Sequence, residues 1–175
     1  GTGKTRTLSA LEDVYWAEGD FGESALVTAS SNAACNLLYD ALSRAKIPSW
    51  RFVSQKEEKD SCGFVRARGE SIKAHCLPEA ARQELLAAGY TKSNTWNKRV
   101  NTKCLEMMQR SHKAVVCTAG MSARQPHLSS MRYHNVLVDE AAQATEPDVC
   151  QAVVSCEGSL VLIGDHKQLP ARVKA

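Results

Sequence analysis

The order of apolar and polar residues divides the chain between two periodicities. Four short runs rich in Val, Leu and Ala read as strands: Ser24–Ala29, Ala114–Thr118, Asn135–Asp139 and Ser159–Gly164. The last three lack alternation, the pattern of strands covered on both faces. Helical spacing appears between them. From Ser31 to Ala45, the residues Leu37, Leu38, Ala41, Leu42 and Ala45 fall on one stripe, with Ser30 or Ser31 available as N-cap. Pro78 opens a helix that runs to Ala88 and stops at Gly89, with proline first and glycine last. Further helices are predicted over Thr95–Ser111 and Glu146–Val154. Another is predicted from Lys4 to about Trp16, with Leu8, Leu11 and Tyr15 facing inward.

Strands alternating with helices predict an α/β domain, a parallel sheet flanked by helices. The stretch from about Gln55 to Lys113 breaks the rhythm. It is long, mostly helical and polar, and carries the run Lys56-Glu57-Glu58-Lys59-Asp60. It reads as an insertion on the sheet domain, not as a separate folding unit.

Composition narrows the class. With 175 residues, 43% hydrophobic and 23% charged, the chain has enough apolar material for one folded domain, which excludes collagenous or wholly disordered sequence. No apolar run is long enough to span a membrane, so no membrane partner is expected. The net charge of +3 permits an anionic partner without requiring one. Between Lys92 and Lys113 six Lys or Arg face a single acid, Glu106, and on pattern alone this is a solvated helix face. Seven cysteines at irregular spacing, without a CxxC pair, point to reduced thiols in a cytoplasmic or nuclear protein. Cys62, His75 and Cys76 fit no closed zinc site.

Candidate chemistry begins at the first residues. Gly1-Thr2-Gly3-Lys4-Thr5 matches the end of the phosphate loop G-x-x-x-x-G-K-[ST]. Its glycines let backbone N–H groups curl around phosphate oxygens at a helix N-terminus. Lys4 is then placed against the β- and γ-phosphates, and Thr5 offers its hydroxyl to Mg²⁺. The motif is met part-way, so both ends of the chain read as cuts.

A second element is Asn135-Val136-Leu137-Val138-Asp139-Glu140-Ala141-Ala142-Gln143, a buried strand ending in two acids. Ligands of parallel sheets bind at the carboxyl ends of strands. Asp139 is the candidate Mg²⁺ carboxylate. Glu140 is the candidate group to polarise the water that attacks the γ-phosphorus. By itself, a strand ending in Asp-Glu is more often a solvated terminus. A third strand end, Leu160–Asp165 followed by His166-Lys167-Gln168-Leu169-Pro170, offers Gln168 as a γ-phosphate sensor; its bland alternative is a polar turn before a proline.

Together these segments resemble the ordered motifs of superfamily 1 helicases, in the branch of the nonsense-mediated-decay helicase and senataxin. Gly1–Thr5 resembles the end of motif I, Thr28–Ala34 motif Ia, Val115–Ala119 motif Ic, Asp139–Pro147 an extended motif II and Gly164–Pro170 motif III. The resemblance implies a RecA-like domain that binds ATP and Mg²⁺. It implies ATP hydrolysis served by Lys4, Thr5, Asp139, Glu140 and Gln168, with Gln143 linking the site to a second RecA-like domain. It further implies 5′-to-3′ movement on single-stranded RNA or DNA, with Ser31, Asn32 and Thr118 at the nucleic-acid backbone. Without the resemblance, an N-cap pair and a strand-end hydroxyl come first for those three. The basic insertion sits where the branch carries an accessory subdomain, which assigns Lys98, Arg99 and Lys103 to phosphate contacts.

Two departures stand out: Ser30 where the family commonly has proline, and Ala171 after Pro170. Neither position carries charge in the chemistry, so activity is expected to survive both. The alternatives are a P-loop NTPase or kinase uncoupled from nucleic acid, and a non-catalytic scaffold expected to have lost Lys4 or Glu140.

Overall fold

The computed structural model describes residues 24–53, 77–111, 114–165 and 167. The phosphate-loop segment Gly1–Thr5, the helix expected after it, the mixed-charge run, Cys62, His75, Cys76 and Gln168 lie outside the described residues.

Among the described residues five parallel strands form one sheet: β1 (Ala25–Ala29), β2 (Ser49–Arg51), β3 (Ala114–Thr118), β4 (Tyr133–Val138) and β5 (Cys156–Leu162), in spatial order β2-β3-β1-β4-β5. Helix α1 (Asn32–Arg44) follows β1. Helices α2 (Leu77–Ala87) and α3 (Trp96–Ser111) precede β3. The short α4 (Ala119–Arg124) and α5 (Pro126–Ser129) lead to β4, and α6 (Glu146–Val154) leads to β5. This is the expected parallel sheet between helical layers. Strand β2 was not anticipated; it has three residues and no apolar run. Helices α4 and α5 are too short to show a period.

The strands' two-residue period divides the core. Val27, Val116 and Leu137 pack with Cys35, Leu38, Tyr39 and Leu42 of α1. Leu26, Val115 and Val136 pack on the opposite side with Leu77, Ala81 and Leu85 of α2 and Val100, Cys104 and Met108 of α3. Helices α2 and α3 therefore share the sheet's own core. Each fully buried Val or Leu contributes roughly 1.5–3 kcal/mol.

The ends of α1 fix how the chain leaves and re-enters the sheet. Ser31 is the N-cap, its Oγ accepting the Ala34 N–H at 3.1 Å. At the other end Ile47 N–H donates to Leu42 O and Lys46 N–H to Ser43 O, a Schellman closure with Lys46 at φ 60°. Helix α2 closes the same way on Gly89, at φ 82°, where the absence of a Cβ removes the penalty.

Two expectations need correction. Leu37 is 50% exposed, because the stripe that meets the sheet runs through Cys35, Leu38, Tyr39 and Leu42 and points the adjacent leucine away. Strand β5 is not covered on both faces; it is the edge of the described sheet, with Leu160 38% and Leu162 50% exposed.

Candidate functional site

Because all five strands run the same way, their carboxyl ends open onto one edge. Ser30, Ser31 and Asn32 follow β1, Thr118 ends β3, Asp139 and Glu140 follow β4, and Gly164 and Asp165 lie just beyond β5. The register sets Ala29 beside Thr118 and Thr28 beside Val138. The described ends of β1, β3, β4 and β5 thus lie along one edge.

Asp139 extends the ladder, its N–H donating to Thr28 O at 2.8 Å. Its side chain is 8% exposed in all, with Oδ1 accepting the Glu140 N–H at 2.8 Å. A nearly buried carboxylate at this edge is a hard oxygen donor suited to Mg²⁺. That ion binds through one or two carboxylates plus substrate phosphates, not through a full protein cage. Among the described residues no group of three or more His, Cys, Asp or Glu forms such a cage.

Glu140 takes left-handed backbone, φ 53° and ψ 35°. For a residue with a Cβ this costs roughly 1–2 kcal/mol, and such conformations cluster at functional sites. The surroundings impose it. The turn Ala141–Gln143 is pinned by Gln143 N–H to Glu140 O and by Ala141 N–H to Ile163 O, both 2.8 Å, while Ile163 N–H donates to Val138 O at 2.8 Å. Gly164 lies against this turn. A Cβ there would meet Ala142 N at 3.0 Å and Ala142 Cβ at 3.3 Å, so a larger residue would have to push this turn outward by a few tenths of an ångström. Gln143 lies half-buried at the turn's end, and Asp165 Oδ1 accepts the Lys167 N–H at 3.0 Å.

Two features escaped the sequence reading. Ser30 Oγ donates to Glu140 Oε2 at 2.9 Å, so the supposedly inert departure touches the candidate catalytic acid. Arg51, at the end of β2, is fully buried. Its Nη2 donates to Asn32 Oδ1 at 2.8 Å, its Nε to Asn36 Oδ1 at 2.9 Å, and its Nη1 to the carbonyls of Val116, at 3.1 Å, and Phe52. A guanidinium inside a sheet gives no apolar-run signal, and a contact spanning 110 residues has none either.

The basic insertion residues are divided. Lys98, Arg99 and Lys103 line a cleft of about 410 Å³ between α2 and α3, with Leu85, Tyr90 and Thr102. Lys98 and Arg99 are exposed, and the Arg99 guanidinium stacks 4.9 Å from the centre of the Tyr90 ring. Lys103 is paired with Glu84 at 3.0 Å and Glu106 at 3.4 Å. The hydrogen bond to Glu84 is the main cause of its raised pKa. These three residues belong to the helical layer, not to the strand ends.

The described cysteines are free thiols, with Cys35, Cys104 and Cys117 buried and Cys150 exposed. Burial pushes the Cys117 thiol and the Tyr133 phenol far above their ordinary ranges. No described helix is long and apolar enough to cross a membrane.

The model of a family described as AAA domain matches residues 70–175. The regulator of nonsense transcripts 1 homolog of Neurospora crassa is 30% identical over 97% of this chain and 16% of its own length. The DNA replication ATP-dependent helicase/nuclease DNA2 of Xenopus laevis is 30% identical over 100% of this chain and 14% of its own length. The ATP-dependent helicase upf1 of Schizosaccharomyces pombe is 28% identical over 97% of this chain and 19% of its own length. The chain thus spans less than a fifth of each of these relatives. With the motif order, the parallel sheet and these matches in agreement, the chain belongs to the AAA domain family, within the superfamily 1 helicases of the nonsense-mediated-decay-helicase branch.

Proposed function

We propose that the chain is part of the first RecA-like motor domain of an ATP-driven helicase, one that couples ATP hydrolysis to 5′-to-3′ movement on single-stranded RNA or DNA. In this reading residues 1–175 are a partial ATP-binding domain, and about 55–113 form its helical accessory insertion. A second RecA-like domain of the same full-length protein completes the site. The observation that carries the reading is the acid pair at the strand ends: Asp139 nearly buried, and Glu140 held in left-handed backbone beside the tip of β1.

Hydrolysis needs positioning and charge stabilisation more than covalent chemistry from the protein. Gly1, Thr2 and Gly3 wrap the phosphates with backbone N–H groups, and Lys4 neutralises the β- and γ-oxygens. Thr5 and Asp139 would hold Mg²⁺, which would supply Lewis-acid charge to the phosphates. Glu140 accepts the proton of the attacking water as the bond from γ-phosphorus to the ADP oxygen breaks. Gln168 reads the γ-phosphate, and Gln143 passes its state to the second domain. Opening and closing of the two domains moves the strand.

The nucleic acid runs along the same sheet edge past Ser31, Asn32 and Thr118. Lys98 and Arg99 on the accessory helices add sequence-independent phosphate contacts, and Lys103 lines their cleft. The relatives named for nonsense transcripts and for DNA replication support both RNA and DNA as substrates of the class.

The test is ATPase of the full-length protein with and without single-stranded nucleic acid. Wild type is expected to be stimulated, and Lys4→Ala and Glu140→Gln to lose on the order of 100-fold or more in kcat. Equal rates in all three proteins would overturn the motor reading, and ATPase indifferent to nucleic acid would favour an uncoupled NTPase. Strand displacement on duplexes with a 5′ or a 3′ overhang tests the direction.

A further inference from the structure

Three elements meet at the guanidinium of Arg51. Arg51 ends β2 and pairs in register with Val116 of β3. Its side chain reaches α1, where Nη2 donates to Asn32 Oδ1 at 2.8 Å and Nε to Asn36 Oδ1 at 2.9 Å. Nη1 donates to the carbonyls of Val116 and Phe52. Arg51 is fully buried, Asn36 is buried, and Asn32 is half-buried at the start of α1. These acceptors are all neutral oxygens. A buried cation is costly to desolvate, and apolar side chains of similar volume commonly give equal or better stability. Stability alone is therefore a weak reason for an arginine here. What the guanidinium adds is direction, a planar fork whose donors fix several acceptors at once.

We propose that Arg51 is a positioning residue for nucleic-acid binding. It holds the Asn32 amide, oxygen inward, in a set relation to the tip of β3, so that Asn32 and Thr118 meet one sugar-phosphate backbone together. The inference rests on the proposed function, which assigns Asn32 and Thr118 to that backbone. It names a residue that acts through them without touching the strand.

The physical argument has three parts. First, a guanidinium only donates, so the oxygens of Asn32 and Asn36 must face it and neither amide can turn over. An amide oxygen repels a phosphate oxygen, whereas an amide NH₂ donates to it. Holding the Asn32 oxygen on Arg51 makes the NH₂ the group that this side chain turns towards an anion. Second, one rigid fork grips both partners of the proposed contact. Asn32 is held by its side chain, and β3 is held through the carbonyl of Val116, two residues before Thr118. This order exists before a strand arrives, which lowers the entropy cost of binding. Third, Arg51 is buried, so its guanidinium forms no ion pair with a phosphate. Its effect on affinity comes from geometry and adds nothing to counterion release.

The test measures the affinity of the full-length protein for labelled oligo(U) and oligo(dT) over a range of salt, at a temperature where urea unfolding shows each variant folded. Arg51→Met is expected to bind about three- to tenfold more weakly, the scale of one oriented hydrogen bond, with the slope of log affinity against log salt unchanged. Placed on Asn32→Ala, it should weaken binding little further while still lowering stability through Asn36, Val116 and Phe52. Asn36→Ala removes one bond of the same guanidinium and leaves Asn32 held, so it should lose stability and keep affinity. Arg51→Gln keeps a donor in place of Nε and none in place of the Nη groups. It should lose as much affinity as methionine at a smaller cost in stability, and it carries the test if Arg51→Met does not fold.

Wild-type affinity in Arg51→Gln or in folded Arg51→Met overturns the proposal. So do fully additive losses in the double variant, and so does a slope lowered by about one, the mark of direct phosphate contact. An equal loss of affinity in Asn36→Ala would reduce Arg51 to general packing and overturn it as well. Failure of the underlying reading looks different. Asn32→Ala would bind like wild type, or wild type would not bind single strands, and the positioning role would fall with it.

Discussion

Arg51 Nη2 lies 2.8 Å from Asn32 Oδ1, so a buried cation at the end of β2 holds the first residue of α1. The same guanidinium holds Asn36 one turn later and the carbonyls of Phe52 and Val116. One side chain therefore fastens an edge strand, its neighbour and a helix. Replacement by methionine fills much of the volume but withdraws four charge-assisted hydrogen bonds, from Asn32, Asn36, Phe52 and Val116. Arg51→Met is expected to lose on the order of 3 kcal/mol of stability, measured by urea unfolding. A loss below about 1 kcal/mol would mean that water or rearrangement satisfies those acceptors.

Lys46 adopts φ 60° at the end of α1, where glycine carries no Cβ penalty. The strain removed exceeds the extra freedom that glycine has when unfolded. Lys46→Gly is expected to stabilise by about 0.5–1 kcal/mol, while Lys46→Ala should give no gain. Matching urea midpoints for the two variants would contradict this.

The basic cleft separates by salt dependence. Lys98 and Arg99 are exposed, whereas the Lys103 ammonium is already held by Glu84 and Glu106. Lys98→Ala and Arg99→Ala are each expected to reduce the slope of log affinity against log salt by about one, for single-stranded nucleic acid of any sequence. Lys103→Met should leave that slope close to wild type. The reverse order would show that Lys103 exchanges its carboxylates for phosphate on binding.

Thiol chemistry and alkali report on the core. Cys150 should react with a thiol reagent in the native protein, while Cys117 should stay protected until unfolding. Burial raises the Cys117 pKa, so the folded state keeps a proton that the unfolded state releases above about 9. Tyr133 acts in the same sense above about 10. Their contribution to stability is complete below those ordinary values and declines progressively as pH rises above them, by up to about 1.4 kcal/mol per pH unit for each group. Urea unfolding followed from about pH 8 to about pH 11 checks this, and Cys117→Ala should flatten the first part of the decline.

Much of the fold was legible because its signals are local. The run Ala114–Thr118 became β3 with those bounds, and Glu146–Val154 became α6. Trp50 and Arg51 hid β2, since an arginine in a strand is read as solvent-facing unless its acceptors are known. Leu37 and Leu38 are adjacent on a helix, and only the sheet decides which one it covers. At the candidate site the acids Asp139 and Glu140 were visible as a strand end. The left-handed turn, the Ser30 contact and the Arg51 anchor were not, because each depends on segments brought together only by the sheet.

The backbone of Glu140 sets durability against turnover. Glycine would sit in that turn without strain and asparagine with less strain than glutamate, yet neither brings a carboxylate. A library screened for heat resistance alone should accumulate exactly those replacements at this position and yield hardier but silent proteins. In the proposed function, glutamate at this position favours turnover over endurance.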